Sequence, residues 1–408
     1  MGINAFADGH GHGYKFAHTF QPLGEISVDV RALHAMSPSG VPLLCNLRQL
    51  AFSDDPDSMK IARFLLAPTI KTVHLDFVSD IFNVYDAATF FTVLNSRCPF
   101  LEHLEFCRIP RELSPTVSQF VCGWENLQTF LGNYSGHGVT DEALIHLASL
   151  PTLSRLKINL KHNSLPLALP PQPFPGLRDF TLSASHVGVV IDLLKSHHVL
   201  PLQSLTLDFN ITATALTELL HVMRDHCAHS CLTRLFLRYD FDISNASDVI
   251  DPDTLRPLLA FTNLARLDLD CSYDVEDVDD TLLEEMAAAW PRLERLMLGP
   301  NRSSGRSSHV TLAGLVPLAR YCPQLEFFSL PFDTSSMERP GTKFRNRQLT
   351  ELGVGCSRIA DATAVAEFLS DIFPNLRSIY WRTTSGHHRD DGERWAEVTK
   401  KLMIWRED

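Results

Sequence analysis

The chain has 408 residues, of which 45% are hydrophobic and 21% charged, a balance typical of a folded protein. This length exceeds what one ordinary hydrophobic core supports, so the sequence favours several domains or a repeat array. The formal net charge of −12 argues against nucleic acid or an anionic membrane as a partner, because proteins that bind these present net basic surfaces.

Nine cysteines are scattered along the chain without the dense spacing of a secreted disulfide scaffold. Residues 1–30 contain no apolar run typical of a secretory signal, and no stretch of the chain is apolar enough to predict a membrane span. We therefore expect a protein of a reducing compartment, either the cytoplasm or the nucleus.

The first residues, MGINAFADGHGHGYKFAH (1–18), are rich in glycine and histidine and show no hydrophobic period. We predict a disordered or irregular tail over 1–18. The periodic part of the chain follows it over 19–388, and a final helix is predicted over 389–408.

From residue 23 onward the chain repeats a short phrase with apolar residues at its first, fourth and sixth positions. CPFLEHLEF, which begins at Cys98, and CPQLEFFSL, which begins at Cys322, contain two nearly identical copies. The mean spacing of the copies is about 27 residues, which is typical of leucine-rich repeats. Fourteen copies are present, and they begin at residues 23, 47, 70, 101, 127, 153, 177, 202, 232, 264, 293, 325, 349 and 376.

Each copy predicts a strand, because its last two apolar positions lie two residues apart and point to one face. Helical periodicity follows several copies, as in TDEALIHLASL (140–150), where Thr140 can cap a helix with Leu144, Leu147 and Ala148 on one stripe. Proline often follows the helix and marks its end. We predict an α/β leucine-rich-repeat solenoid of about 14 repeats, each with strand, turn, helix and proline, with a concave parallel sheet and convex helices.

Three turn-rich stretches interrupt the period, and each predicts a surface loop: 163–176, 301–309 and 333–346. Near the end of the chain, ERWAEVTKKLMIW places Trp395, Val398, Leu402 and Trp405 on one helical stripe. Such a helix would either cap the last repeat or bind a partner.

The sequence HVMRDHCAHSC (221–231) brings His226, Cys227, His229 and Cys231 close together, which permits a zinc-site interpretation. No second pair with metal-ligand spacing completes the set, so we expect no metal. The chain also lacks GxSxG, a phosphate-binding glycine loop and HExxH. We therefore predict no enzyme activity and no cofactor.

The side chains that alternate with the apolar skeleton should line the concave face of the sheet. Because the copies are in register, Arg234, Arg266 and Arg295 should form a column, about 4.8 Å apart at each step. Nearby Asp268 and Asp270, or an acidic partner, would relieve the repulsion between these like charges. The composition matches that of interface hot spots. The predicted partner-binding residues are Arg234, Phe236, Arg238, Arg266, Asp268, Asp270, Arg295, Met297 and Phe327.

Two weaker candidates lie on the same face, namely Arg155 with Lys157 and Tyr380 with Arg382. The sequence leaves two functions open. The concave face would recognise a protein, or the arginine column would bind a small anionic, phosphorylated ligand. A protein partner should depend on aromatic contacts, whereas a small anion should depend steeply on the arginines.

Three features resemble the leucine-rich portion of fungal F-box/LRR proteins, over roughly residues 20–405. They are the CPxLExLxF motif, the FPNLRSI unit (373–379) and the ERWAEVTKKL helix. The resemblance implies that the repeats select a protein substrate for an SCF-type ubiquitin ligase, to which an F-box connects them through Skp1. The chain departs from the family in residues 1–50, where FQPLGEISVDV reads as a repeat strand. This departure puts Skp1 docking in doubt and leaves three interpretations open: a fragment, a truncated relative, or a repeat protein without a ligase connection.

Overall fold

The computed structural model describes residues 46–53, 64–76, 84–134, 138–160, 169–196, 199–209, 213–238, 250–270, 277–299, 308–335, 343–381 and 389–407. The tail predicted over 1–18 and the repeat strand predicted at Leu23 lie outside these residues. So do residues 163–168, 301–307 and 336–342 of the three predicted loops.

The described residues form one sheet in which every strand pairs in parallel with the strand of the next repeat. Its 13 strands coincide with the last 13 predicted copies, which confirms the α/β leucine-rich-repeat solenoid. The strands are β1 (Gln49–Ser53), β2 (Thr72–Asp76), β3 (His103–Ile109), β4 (Thr129–Tyr134), β5 (Arg155–Asn159), β6 (Asp179–Ser183), β7 (Ser204–Asp208), β8 (Arg234–Arg238), β9 (Arg266–Asp270), β10 (Arg295–Leu298), β11 (Phe327–Ser329), β12 (Glu351–Gly355) and β13 (Ser378–Trp381).

The apolar skeleton fixes the register between repeats. Leu235, Leu267 and Leu296 occupy the same position in β8, β9 and β10, pair with one another across the strands and are fully buried. The backbone repeats as well, since the carbonyl of Thr233 accepts hydrogen bonds from the N–H groups of Ala265 and Arg266 at 2.8 and 3.0 Å. A one-residue slip would expose the whole skeleton, so side chains at equal positions are held opposite each other.

The helices lie behind the sheet and bury one stripe each. In the helix at 141–149 the Thr140 hydroxyl accepts from the N–H of Ala143, and Leu144, Leu147 and Ala148 are buried, as predicted. The helices are α1 (Val84–Arg97), α2 (Ser114–Val121), α3 (Asp141–Ser149), α4 (Val187–Lys195), α5 (Ala213–His226), α6 (Pro252–Leu255), α7 (Asp280–Ala289), α8 (Val316–Tyr321), α9 (Ala362–Ile372) and α10 (Arg389–Glu407).

The segment between β5 and β6 contributes an aromatic side chain to the core. Between β5 and β6 the described residues 169–178 contain no helix. Phe174 instead inserts into the core at 0% exposure, and its N–H donates to the carbonyl of Ala148 at 2.7 Å. Part of the surface loop predicted at 163–176 therefore belongs to the core, because the Phe174 ring is fully buried there.

The loop predicted at 333–346 also has buried ends. Thr334 and Asn346 are both 1% exposed. The Asn346 amide donates to the carbonyl of Cys322 at 2.7 Å, and its oxygen accepts from the N–H groups of Gln348 and Leu349. These polar side chains satisfy buried backbone groups at the two ends of the loop.

Helix α10 packs against the last repeats through Trp395, Val398 and Leu402, which are all buried. The Trp395 indole N–H donates to the carbonyl of Ser357 at 2.9 Å. Trp405, predicted on the same stripe, is 40% exposed. These contacts support the capping interpretation for the first turns of the helix.

Candidate functional site

The concave face carries the predicted arginine column. Arg234 on β8 pairs in register with Arg266 on β9, which pairs with Arg295 on β10. Phe327 on β11 continues the same row. Sequence reasoning placed these four side chains correctly, because the skeleton leaves no freedom in the register.

Each arginine of the column lies beside a carboxylate of the chain itself. Arg234 Nη2 is 3.2 Å from Asp179 Oδ1, and Arg266 Nε is 3.1 Å from Glu294 Oε2. Arg295 Nε is 3.0 Å from Asp268 Oδ1. The column is therefore largely neutralised from within, which reduces the like-charge repulsion between neighbouring strands.

Two of these carboxylates were missed by the sequence analysis. Asp179 lies on β6, two strands from Arg234, and the small Ser204 on β7 stands between them in the same row. Glu294 directly precedes Arg295 in the turn before β10. The pair of Asp179 with Arg234 could have been predicted from the sequence, because Asp179, Ser204 and Arg234 occupy the same position in three successive copies.

Arg295 is the most tightly held member of the column. Its guanidinium lies 3.8 Å from the centre of the Phe327 ring, and its side chain is only 22% exposed. Its partner Asp268 is 3% exposed. Asp268 was predicted as a contact residue, but its burial means that it positions Arg295 and does not contact a partner. The side chain of Asp270 lies outside the part of the chain that the structure describes.

The exposed part of the patch combines arginine with apolar side chains. Arg234 and Arg266 are 45% and 47% exposed. Phe236 and Met297 lie in the next row along the strands, on either side of Asp268, and both are half-buried. Arg238, at the end of β8, is exposed. We refer to the predicted residues on β8–β11 together as the arginine patch.

The weaker candidates lie apart from this patch. Arg155 and Lys157 are on β5, where burial lowers the pKa of Lys157, while Glu105 nearby opposes that shift. Tyr380 on β13 is 50% exposed, and Arg382 lies outside the described residues.

The histidine and cysteine cluster at 221–231 is occupied by structural contacts. His229 Nε2 lies 2.6 Å from the carbonyl oxygen of Arg224, and its ring packs edge-on against Phe261. Burial raises the pKa of the Cys227 thiol to about 12, which disfavours the thiolate that a metal needs. Among the residues that the structure describes, no group of three or more histidine, cysteine or acidic side chains is arranged to hold a metal ion.

The chain matches no protein-family model and no curated protein. Among solved structures it is similar to a chain of the yeast Rad7–Elc1 complex, with 15% identity, coverage of 85% of this chain and 73% of that chain, and a TM-score of 0.37. The leucine-rich repeat-containing protein LegL7 from Legionella pneumophila gives 12% identity, 86% and 98% coverage, and a TM-score of 0.30. A protein from Bacteroides fragilis gives 14% identity, coverage of 82% of this chain and 73% of that chain, and a TM-score of 0.29.

The fold assignment rests on the sheet and its register. Within the described part of the chain, no helix combines the length and the apolar character that crossing a bilayer requires.

Proposed function

We propose that the protein recognises a partner protein through the arginine patch on the concave face. The observation that carries this proposal is the grouping of half-buried Phe236, Met297 and Phe327 with exposed Arg234 and Arg266 on four neighbouring strands. Aromatic, methionine and arginine side chains are enriched in protein interfaces, and aromatic and arginine side chains dominate the hot spots that supply most of the binding free energy. No catalytic step is part of this proposal.

The exposed arginines define the chemistry of the partner. The internal ion pairs engage Nη2 of Arg234 and Nε of Arg266, whereas a guanidinium has five N–H donors. A carboxylate of the partner can therefore add to each arginine from the solvent side. We infer a partner segment in which apolar side chains are flanked by acidic ones.

A small phosphorylated ligand fits this geometry less well. Its higher negative charge would lie close to the carboxylates of Asp179, Glu294 and Asp268, which are 3.0–3.2 Å from the same arginines and would repel it. It would also make no use of the neighbouring apolar side chains. Net positive charge attracts a free anion, and the internal ion pairs reduce that charge.

The finer form of the proposal is that the repeats select a substrate for a ubiquitin ligase. Its support is the resemblance of the repeat wording to fungal F-box/LRR proteins. Binding of Skp1 tests this role separately from the concave site, because an adaptor would hold Skp1 through another part of the chain.

The charge experiment is a quantitative pull-down from an extract of cells that express the protein. The test variant is Arg234→Glu/Arg266→Glu. The control is Lys195→Glu/Arg224→Glu on helices α4 and α5, where both side chains are similarly exposed at 48% and 42% and also lie in ion pairs. A protein that is lost from the test variant and kept by the control supports the site, whereas equal recovery from both refutes it.

The aromatic experiment separates a protein partner from a small anion. Phe236→Ala/Phe327→Ala should weaken a protein partner by about tenfold or more, because each truncation of a central interface aromatic costs upwards of about 1 kcal/mol. Phe100→Ala/Phe344→Ala is the control, since both rings are exposed outside the strands and lie near a cation. Inorganic phosphate can be tested directly for an increase in the stability of the wild type. An increase that is lost in Arg266→Gln and kept in Phe236→Ala would instead support a small anionic ligand.

A further inference from the structure

A second group of chemically active side chains lies on the concave face, at its N-terminal end. His74 on β2 pairs in register with Glu105 on β3, and Cys107 follows on the same face of β3. His74 Nδ1 lies 3.2 Å from Glu105 Oε2, and His74 Nε2 lies 3.2 Å from Cys107 Sγ. One imidazole ring therefore contacts a carboxylate with one nitrogen and a thiol with the other.

The imidazole is charged at neutral pH. Its pKa is raised from the usual value of 6.5 to about 10, first by the hydrogen bond with Cys107, then by that with Glu105, and against the opposing effect of burial. A charged imidazolium donates from both nitrogens, and donation to sulfur stabilises the thiolate form of a cysteine. Lys157 supplies a second positive charge that interacts with Glu105 and Cys107.

Three other described cysteines lie in surroundings that disfavour the thiolate. Burial raises the pKa of Cys98 to about 11 and that of Cys322 to about 12. Burial also raises the pKa of the half-buried Cys122, whose thiol donates to the carbonyl of Ser118 at 3.4 Å. Thiols held in this way are poor nucleophiles, because the thiolate is the reactive form.

We propose that Cys107 is a nucleophilic cysteine, held against His74, and that it is a site of covalent modification by soft electrophiles, in particular hydroperoxides. The geometry is that of a nucleophile, a base and a carboxylate that orients the base. Cys107 is half-buried, so small reagents reach it. The site lies five strands from β8, about 24 Å along the sheet, and the proposal does not rest on partner binding at the arginine patch.

The oxidation balances without a cofactor. The sulfur of Cys107 attacks one oxygen of the hydroperoxide, an S–O bond forms and the O–O bond breaks. The cysteine is oxidised by two electrons to a sulfenic acid, and the peroxide is reduced. The leaving hydroxide or alkoxide takes a proton from solvent or from the His74 imidazolium, which then recovers one from water.

The first test measures the rate at which iodoacetamide alkylates each cysteine of the native full-length chain near pH 7. Here sulfur displaces iodide, and mass spectrometry of the peptides reports each site separately. A thiol without a neighbouring base is only a few per cent thiolate at this pH, whereas a base beside the sulfur activates it, so we expect Cys107 to react about tenfold faster than the similarly half-buried Cys231.

The His74→Gln variant shows whether the imidazolium is responsible. The rate at Cys107 should fall to that of Cys231, while the rates at Cys122 and Cys231 stay unchanged. Their constancy also reports that the variant remains folded. A Cys107 rate in the wild type no greater than that of Cys231 overturns the proposal without any variant, and a fast Cys107 that survives His74→Gln overturns the pairing.

The second test uses hydrogen peroxide followed by dimedone, which traps sulfenic acids. Dimedone should label Cys107 ahead of the other cysteines, and His74→Gln should remove that preference. Rapid alkylation of Cys107 without preferential dimedone labelling would contradict the assignment of hydroperoxides as the oxidant class.

Discussion

The arginine patch and the His74 cluster occupy the same kind of position on the same sheet, yet their chemistry differs. In both, a cation on one strand meets a group on another strand through the strict register of the repeats. In the patch, each arginine of the column meets a carboxylate. In the cluster, one imidazole is shared between a carboxylate and the Cys107 thiol.

The difference shows that the repeat register fixes where a side chain lies on the sheet. The side chains of the neighbouring repeats then determine whether that side chain forms an ion pair or a reactive group. Carboxylates that neutralise arginines leave a surface suited to docking, because its charges are balanced and its apolar side chains are partly exposed. A thiol beside an imidazolium leaves a reactive group. The comparison can be tested by changing the shared skeleton, then the ion pairs, then the histidine.

The largest effect is expected from the skeleton beneath each region. Leu104 is fully buried next to Glu105 on β3, and Leu267 is fully buried between Arg266 and Asp268 on β9. Truncation to alanine removes buried methyl groups and leaves a cavity, so each variant should lose about 2–5 kcal/mol of the free energy of unfolding. Urea denaturation measures this loss.

Hydrogen exchange then separates the two regions. Because each repeat contacts its neighbours, Leu104→Ala should weaken amide protection mainly around β2–β4, and Leu267→Ala mainly around β8–β10. If both variants lower protection equally over the whole described sheet, the solenoid unfolds as one unit. The two regions would then not be energetically independent.

The next effect comes from comparing two arginines of one column. Arg295→Ala removes the guanidinium beside Asp268, whose side chain is 3% exposed, and should lower the free energy of unfolding by about 3 kcal/mol. Arg234→Ala is the matched control, because its pair with Asp179 is solvent-exposed, and it should cost less than about 1 kcal/mol. Equal losses in urea denaturation would show that burial does not distinguish the two pairs.

Much of this architecture was predictable from the sequence, because a period of two within the strand and about 27 between strands leaves few alternatives. The 13 strands and the arginine column were confirmed in register. The burial of Phe174 and Asn346 was not predicted, since both lie in turn-rich segments whose composition resembles a surface loop.

The His74 cluster was missed for another reason. A search for catalytic motifs follows spacing along the chain, whereas His74 and Cys107 are 33 residues apart and meet only across β2 and β3. Aligning the copies and examining each column would have placed His74 beside Glu105. The Asp179–Arg234 pair was missed in the same way, because its two residues also meet only across strands, β6 and β8.

The smallest effect is a pH dependence that should disappear when His74 is replaced. Because its folded pKa of about 10 exceeds the usual 6.5, the folded state holds a proton that the unfolded state releases. This stability is fully present below pH 6.5 and is lost as the pH rises toward 10. The side chain is partly exposed, so after allowance for solvent screening we expect about 1 kcal/mol between wild type and His74→Asn at the acidic end. Urea denaturation over this pH range measures it.

His103 is the control for that measurement, because it lies on β3 beside Leu104 and its pKa shift has the opposite sign. Burial lowers its pKa below 6.5, so His103 destabilises the folded chain as the pH falls below that value and contributes nothing above it. The wild type should therefore be more stable than His74→Asn at acidic and neutral pH, and this difference in the free energy of unfolding should vanish only at alkaline pH. The His103→Asn variant, in contrast, should become more stable than the wild type only at acidic pH. If both variants follow the wild-type pH profile in parallel, the His74 imidazolium is not held by Cys107 and Glu105, and the contrast between the two regions fails.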